Sequence, residues 1–180
     1  RWQILKERII PFLAEQKQPL TIWSAACSTG EEPYSIAIMM KEHFPNIPYR
    51  LIATDLDEKA LAQANKGQYK LRALKEVPDN EIEKYFSYNE GVYQVHPILK
   101  RHITFKKHDL LMDPYPDNID LLICRNVLIY FTEEAKDLIY QRFSKALREN
   151  GILFVGSTEQ IFHPNRYDLT IFDTFFYRKP

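Results

Sequence analysis

Cysteine is scarce in this chain: only Cys27 and Cys124 occur among 180 residues. That excludes a small secreted scaffold stapled by disulfides, and both residues read as buried thiols of a reducing compartment. Glycine is scarce too, with five residues. No Gly-x-Gly-x-x-Gly fingerprint, P-loop or Gly-x-Ser-x-Gly elbow can be assembled from them. No apolar run approaches the roughly 20 residues of a membrane-spanning helix. Lysine plus arginine number 24, as do aspartate plus glutamate, so there is no excess of positive charge for a general nucleic-acid surface. The five histidines, at 43, 96, 102, 108 and 163, lack metal-ligand spacing, and no metal site is predicted. There are no repeats and no low-complexity tracts.

What is present is an alternation of strand and helix patterns, in a length sufficient for one domain with a full core. Trp2, Leu5, Ile9, Phe12 and Leu13 recur at helical spacing over residues 1–16. Leu20 to Ala26 reads as a central strand. Thr29 with Glu32, or Ser28 with Glu31, offers a capping box for the helix that follows, and Pro33 suits its first turn. Tyr49 to Thr54 is a second strand and Glu58 to Lys66 a helix that Gly67 stops. Asp120 to Cys124, Glu133 to Arg148 and Gly151 to Gly156 continue as strand, helix and strand. Thr170 to Arg178 reads as a final strand or hairpin. The order predicts a three-layer α/β domain spanning 1–180, with a mostly parallel sheet and an antiparallel last strand. Residues of about 74–107 interrupt it. A helix over Leu74 to Phe86 and alternating segments at Gly91 to His96 and Ile103 to Lys107 suggest a small antiparallel β insertion. Its basic residues, Lys100-Arg101-His102 and Lys106-Lys107-His108, suggest a solvated edge that discourages strand-to-strand aggregation.

The segment Ile22 to Ser35 runs from strand through a turn of small residues into a helix, where open α/β sheets hold a nucleotide-like ligand. Glu31 and Glu32 stand where a pyrophosphate would sit. They would repel a phosphate and suit a ligand with cationic groups, of which S-adenosylmethionine is one. Ala26 brings backbone close to such a ligand. Asp55, at the end of the second strand, can accept from both ribose hydroxyls, although an acid there is equally an N-cap. Asp109-Leu110 could grip and cover an adenine edge, or form a turn with a core leucine. In Cys124-Arg-Asn-Val-Leu-Ile-Tyr-Phe131 a strand ends directly in Arg125 and Asn126. An arginine so placed either forms an internal ion pair or presents its rigid fork to a carboxylate. Tyr130 is by itself more often a core aromatic.

Three segments together resemble one family. They are Ser24-Ala-Ala-Cys-Ser-Thr-Gly-Glu-Glu-Pro-Tyr-Ser35, Ala53-Thr-Asp-Leu-Asp57 and Cys124 to Phe131. The resemblance, to the catalytic domain of CheR-type chemoreceptor glutamate methyltransferases, extends through Lys66-Gly-Gln-Tyr-Lys-Leu and Gly151-Ile-Leu-Phe-Val-Gly-Ser. It implies a Rossmann-like fold, S-adenosylmethionine as methyl donor and S-adenosylhomocysteine as product. Glu32, Asp55, Asp109, Leu110, Arg125 and Asn126 would line the cofactor pocket, with Arg125 and Tyr130 near the transferred methyl group. The implied partner is the cytoplasmic domain of a methyl-accepting receptor, met by a cytoplasmic monomer. The family's N-terminal helical domain, whose asparagine-threonine-arginine segment completes the pocket, is absent before Arg1, and the expectation is a trimmed fragment. The insertion is short around Ser87 to Gly91 beside relatives that tether a receptor peptide. Three other classes compete: a non-catalytic module that binds S-adenosylmethionine, a nicotinamide-dependent oxidoreductase and a nucleic-acid methyltransferase. The poor glycine content of the first turn opposes the second. Neutral charge and the lack of Asn-Pro-Pro-Tyr oppose the third.

Overall fold

Ten strands form in the computed structural model, which describes residues 1–180. They are β1 (Leu20–Ala25), β2 (Tyr49–Asp55), β3 (Gln68–Tyr69), β4 (Phe86–Asn89), β5 (Val92–Val95), β6 (Ile103–Lys107), β7 (Ile119–Cys124), β8 (Leu147–Val155), β9 (Thr170–Asp173) and β10 (Phe176–Arg178). The main sheet has the order β6-β2-β1-β7-β8-β10-β9. Its first five strands are parallel, and β10 runs antiparallel to both β8 and β9. The strand order reverses beside β1, which puts a crevice at the carboxyl ends of β1 and β7.

Alternate residues of the central strands serve opposite faces, so both faces must be covered. Ile22 of β1 and Leu121 of β7 pack with Leu5, Ile9 and Leu13 of an N-terminal helix and with Ile36 and Met40. That helix, α1, is continuous through Trp2–Ile4, a π-type stretch Leu5–Ile9 and Ile10–Gln16. Ile36 and Met40 belong to α2 (Glu31–His43). On the other face Trp23 and Leu122 pack with Ile139 and Phe143 of a helix over Glu133–Ala146. The result is the three-layer α/β architecture expected. A short helix, α3 (Glu58–Lys66), begins on Asp57, whose carboxylate accepts from the amides of Lys59 and Ala60, and ends at Gly67 with φ 65°.

Three differences from expectation stand out. Ile103–Lys107 is not an antiparallel strand of the insertion. It is β6, the parallel edge strand beside β2. Ile103 and Phe105 turn partly inward while Thr104, Lys106 and Lys107 face solvent, a pattern common to any half-covered strand, and the lysines blunt the open edge. The small sheet is β3-β5-β4 alone, resting on α2 through Tyr34, Ala37 and Ile38. The helix expected over Leu74 to Phe86 is confined to Asp79–Tyr85, after Pro78, with a separate 3-10 turn at Leu71–Leu74. Finally, no capping box starts α2. Its N-cap is Gly30 at φ 95°, with no side-chain cap. A Cβ there would lie 2.8 Å from that of Ala64 and 2.9 Å from the Tyr69 hydroxyl, so packing as well as φ requires glycine.

Candidate functional site

A cavity of about 570 Å³ opens at the carboxyl ends of β1, β2, β6 and β7. That lies within the range of small-molecule sites, and in the crevice where open α/β sheets bind ligands. The turn after β1 passes through left-handed backbone at Ala26 (φ 59°) and Ser28 (φ 53°). It is tied to the end of β2 on both sides. The Cys27 amide donates to the Thr54 carbonyl (2.8 Å) and the Ser28 amide to Asp55 Oδ2 (2.8 Å). Asp55 Oδ1 accepts from the Asp57 amide (2.9 Å). Each carboxylate oxygen has a second lone pair left for a ligand, so Asp55 builds the turn and still faces the cavity.

The turn after β6 supplies the opposite wall. Asp109 donates its amide to Asp113 Oδ2 (2.8 Å) and accepts from the Leu111 amide at Oδ1 (2.9 Å). Leu110 is buried, and its carbonyl accepts from the Tyr115 hydroxyl (2.7 Å) and Arg142 Nη1 (3.0 Å). His108, read from sequence as part of a basic patch, is instead buried and lines the cavity. Its Nε2 lies 3.1 Å from the Pro114 carbonyl, and its Nδ1 has no partner. A carbonyl only accepts, so Nε2 donates in that contact, and Nδ1 is left unpartnered.

Arg125 and Asn126 close the cavity from the end of β7. Arg125 is half-buried and forms no ion pair; its Nε is buried without a partner. The guanidinium lies 4.9 Å from the Phe154 ring centroid and 5.6 Å from that of Trp2, a cation–π setting that holds the charge without neutralising it. Asn126 adopts φ 62°. Tyr130 does not join them in the cavity wall. It is 83% exposed on a 3-10 turn, Leu128–Tyr130, although its neighbour Phe131 does line the cavity.

Glu32 is half-buried and is not part of the cavity lining. Its Oε1 accepts from the Ser24 hydroxyl (2.7 Å). Burial pushes its pKa up to about 6, with Glu159 adding to the rise and Ser24 and Arg125 opposing it. Glu32, Arg125 and Glu159 therefore share one electrostatic neighbourhood. Glu159 is the residue that sequence reasoning missed. It is 5% exposed, and its carboxylate accepts from the amides of Asn126, Val127 and Leu128. The available hint is an acid three residues past Gly156, at a turn after a strand. Cys27, just after β1, and Cys124, the last residue of the neighbouring β7, are buried free thiols, and burial with nearby Asp55 and Glu32 pushes Cys27 up to about 12.

The CheR methyltransferase SAM-binding domain model matches residues 1–176. The chain belongs to this family. A chemotaxis protein methyltransferase of Listeria innocua is 44% identical over 180 residues, covering 99% of this chain and 69% of the relative. The Escherichia coli protein of the same name is 35% identical over 153 residues, covering 81% of this chain and 54% of that one. A third, from Borreliella burgdorferi, is 34% identical over 172 residues, 89% of this chain and 61% of the relative. For a CheR domain the cofactor to accommodate is S-adenosylmethionine, and the residues present suit it. The turn after β1 brings backbone to the cavity with only small side chains. Asp55 and Asp109 offer carboxylate acceptors on the cavity wall and His108 an unpartnered nitrogen.

Proposed function

We propose that this domain transfers a methyl group from S-adenosylmethionine to glutamate side chains on the cytoplasmic helices of a chemoreceptor. Asp55 would accept from the ribose hydroxyls. Asp109 and Leu110 would hold the adenine, and Ala26 and Asn126 would shape the pocket by close approach. Glu32 would face the ammonium group. The bound cofactor supplies an electrophilic methyl on a sulfonium; its transfer breaks a C–S bond, forms a C–O bond to the carboxylate and leaves the electron pair on sulfur. A glutamate of ordinary pKa, about 4.3, is already ionised at neutral pH, so this chain need not supply a base. Its work is alignment, which contributes roughly 7–11 kcal/mol in favourable cases.

The observation that carries this reading is Arg125. It is a half-buried arginine in the cavity wall, free of any carboxylate, in a site whose other ionisable groups are mainly acids. A guanidinium so placed can orient an incoming carboxylate while aromatic rings hold it back from full neutralisation. Tyr130, exposed beside this wall, would meet the protein substrate. No helix of the chain is long and apolar enough to cross a membrane, and we take the enzyme to meet its receptor as a cytoplasmic monomer. Incubation with labelled S-adenosylmethionine and a receptor cytoplasmic domain tests the reading. Label in the receptor, released by base as methanol, is the expected result. Tight cofactor binding without transfer would favour a regulatory module instead.

A further inference from the structure

The proposed methyl transfer has no direct use for Glu159, yet the fold goes to some length to bury it. It is 5% exposed, and no lysine, arginine or histidine lies within ion-pair distance of it. An isolated buried carboxylate is unfavourable unless its oxygens are hydrogen-bonded. Here they are bonded only by backbone. Oε1 accepts from the Asn126 amide and, at 3.3 Å, from that of Gly156. Oε2 accepts from Val127 (3.1 Å) and Leu128 (2.7 Å). Three successive amides converge because Asn126 is left-handed (φ 62°) and a 3-10 turn starts at Leu128. Such a concavity binds anions, and the first amides of a helical turn lack partners of their own.

The other side of the contact is equally specific. Gly156 follows β8, and a Cβ on it would stand 2.7 Å from Glu159 Oε1, 2.6 Å from Asn126 Oδ1 and 2.9 Å from the Asn126 amide. The glycine leaves the space the carboxylate occupies. The Glu159 amide closes a turn on the Gly156 carbonyl (3.1 Å), and the Tyr140 hydroxyl donates to the Glu159 carbonyl (3.4 Å). The residue's backbone is therefore anchored on both sides before its side chain reaches across to the loop after β7.

We propose that Glu159 is a positioning residue for methyl transfer: by gathering the amides of residues 126–128 it fixes the backbone path after β7, and with it the approach of Arg125 and Asn126 to the cavity. The inference rests on the reading of Arg125 given above. Asn126 lines the cavity, so cofactor binding feels the loop as well. Arg125 is the group assigned to the substrate carboxylate, so turnover should feel it more.

The test uses Glu159→Gln, Glu159→Asp and Glu159→Ala in the full chain, with four readouts: thermal midpoint, S-adenosylhomocysteine affinity by calorimetry, kcat and KM for methyl transfer, and hydrogen exchange of the 126–128 amides. Glutamine keeps the volume but turns a donor toward donors. Glu159→Gln should stay folded, weaken S-adenosylhomocysteine by no more than about fivefold and lower kcat by about 100-fold, a loss of the size that misplacing a reacting group produces. Exchange at 126–128 should rise by about tenfold or more. Aspartate, still anionic, should restore part of kcat. Should Glu159→Ala not fold, the other two variants carry the test. A kcat within about twofold of wild type in Glu159→Gln, or a loss no larger than its loss of affinity, would overturn the proposal. If the wild-type chain transfers no methyl to a receptor, the functional reading fails separately. The positioning claim is then decided by exchange alone, and unchanged protection at 126–128 would refute it.

Discussion

Asp120 and Glu159 are both buried carboxylates on the β7–β8 pair, one at each end, and they are satisfied in opposite ways. Asp120, in β7 and fully buried, pairs with Arg148 and with Lys17 Nζ (2.9 Å), and accepts from the Thr21 amide (2.7 Å). Cations neutralise it, and it knits the chain after α1, the start of β1 and the start of β8. Glu159, beyond the end of β8, takes backbone amides only. The nearby cation, Arg125, is left to aromatic rings. At the amino ends of the strands charge is consumed for stability. At the carboxyl ends a positive charge is kept available.

Asp120→Ala attacks the consumed end. It leaves a mostly buried Arg148 without its anion and should destabilise the fold by about 3 kcal/mol, the low end for breaking a buried pair because Lys17 is partly solvated. Chemical denaturation measures this, while S-adenosylhomocysteine affinity of the folded protein should not change. Arg125→Ala attacks the available end. Methyl transfer should fall by about 100-fold with little change in denaturation midpoint, and Arg125→Lys should recover little because the planar fork is lost. Full turnover in Arg125→Ala with normal cofactor affinity would erase the distinction between the two ends.

The third expectation concerns pH. Burial raises Glu32 from 4.5 to about 6, so the free folded protein takes up this proton more readily than the unfolded chain. Protonation thus relieves a cost of folding as pH falls from above 6 toward 4.5, so this group's own term favours the fold at acid pH. A cationic ligand needs the anion, so S-adenosylhomocysteine affinity should be level above neutrality and weaken as pH falls through about 6, by at most about tenfold per pH unit. Calorimetry across pH 5 to 8 checks it, and a flat profile would remove Glu32 from the cofactor's cationic end. The smallest effect is expected for Ser24→Ala. The lost hydroxyl donor (2.7 Å) should move that midpoint upward and weaken binding near neutrality by about threefold, because more of Glu32 is then protonated there.

Much of the fold was legible because its signals are local. Asp57 capping α3 and Gly67 ending it need only neighbouring residues. The apolar runs of β1 and β7 announce burial on both faces. Six of the seven residues expected at the cofactor, Ala26, Asp55, Asp109, Leu110, Arg125 and Asn126, sit at or just after strand ends and line the cavity, because a parallel sheet brings its carboxyl ends to one edge. Ile103–Lys107 was misplaced because a half-covered edge strand alternates alike in parallel and antiparallel company. The apparent capping box failed because packing against Ala64 and Tyr69 fixes Gly30 as the N-cap, which leaves Glu32 to accept from Ser24. His108 stood among basic residues in sequence, yet folding buries it against Trp23 and Tyr115.

The sequence by itself thus determined the layered α/β architecture, the strand ends that bear the site and the family, since periodicity, turn residues and long motifs are properties of contiguous segments. Tertiary structure alone decided which charges stay free. Whether Arg125 finds a carboxylate, whether Glu32 caps a helix or bonds Ser24, and where Glu159 sends its oxygens all depend on distances between segments far apart in the chain. Burial then strengthens each of those choices by removing the water that would otherwise level them.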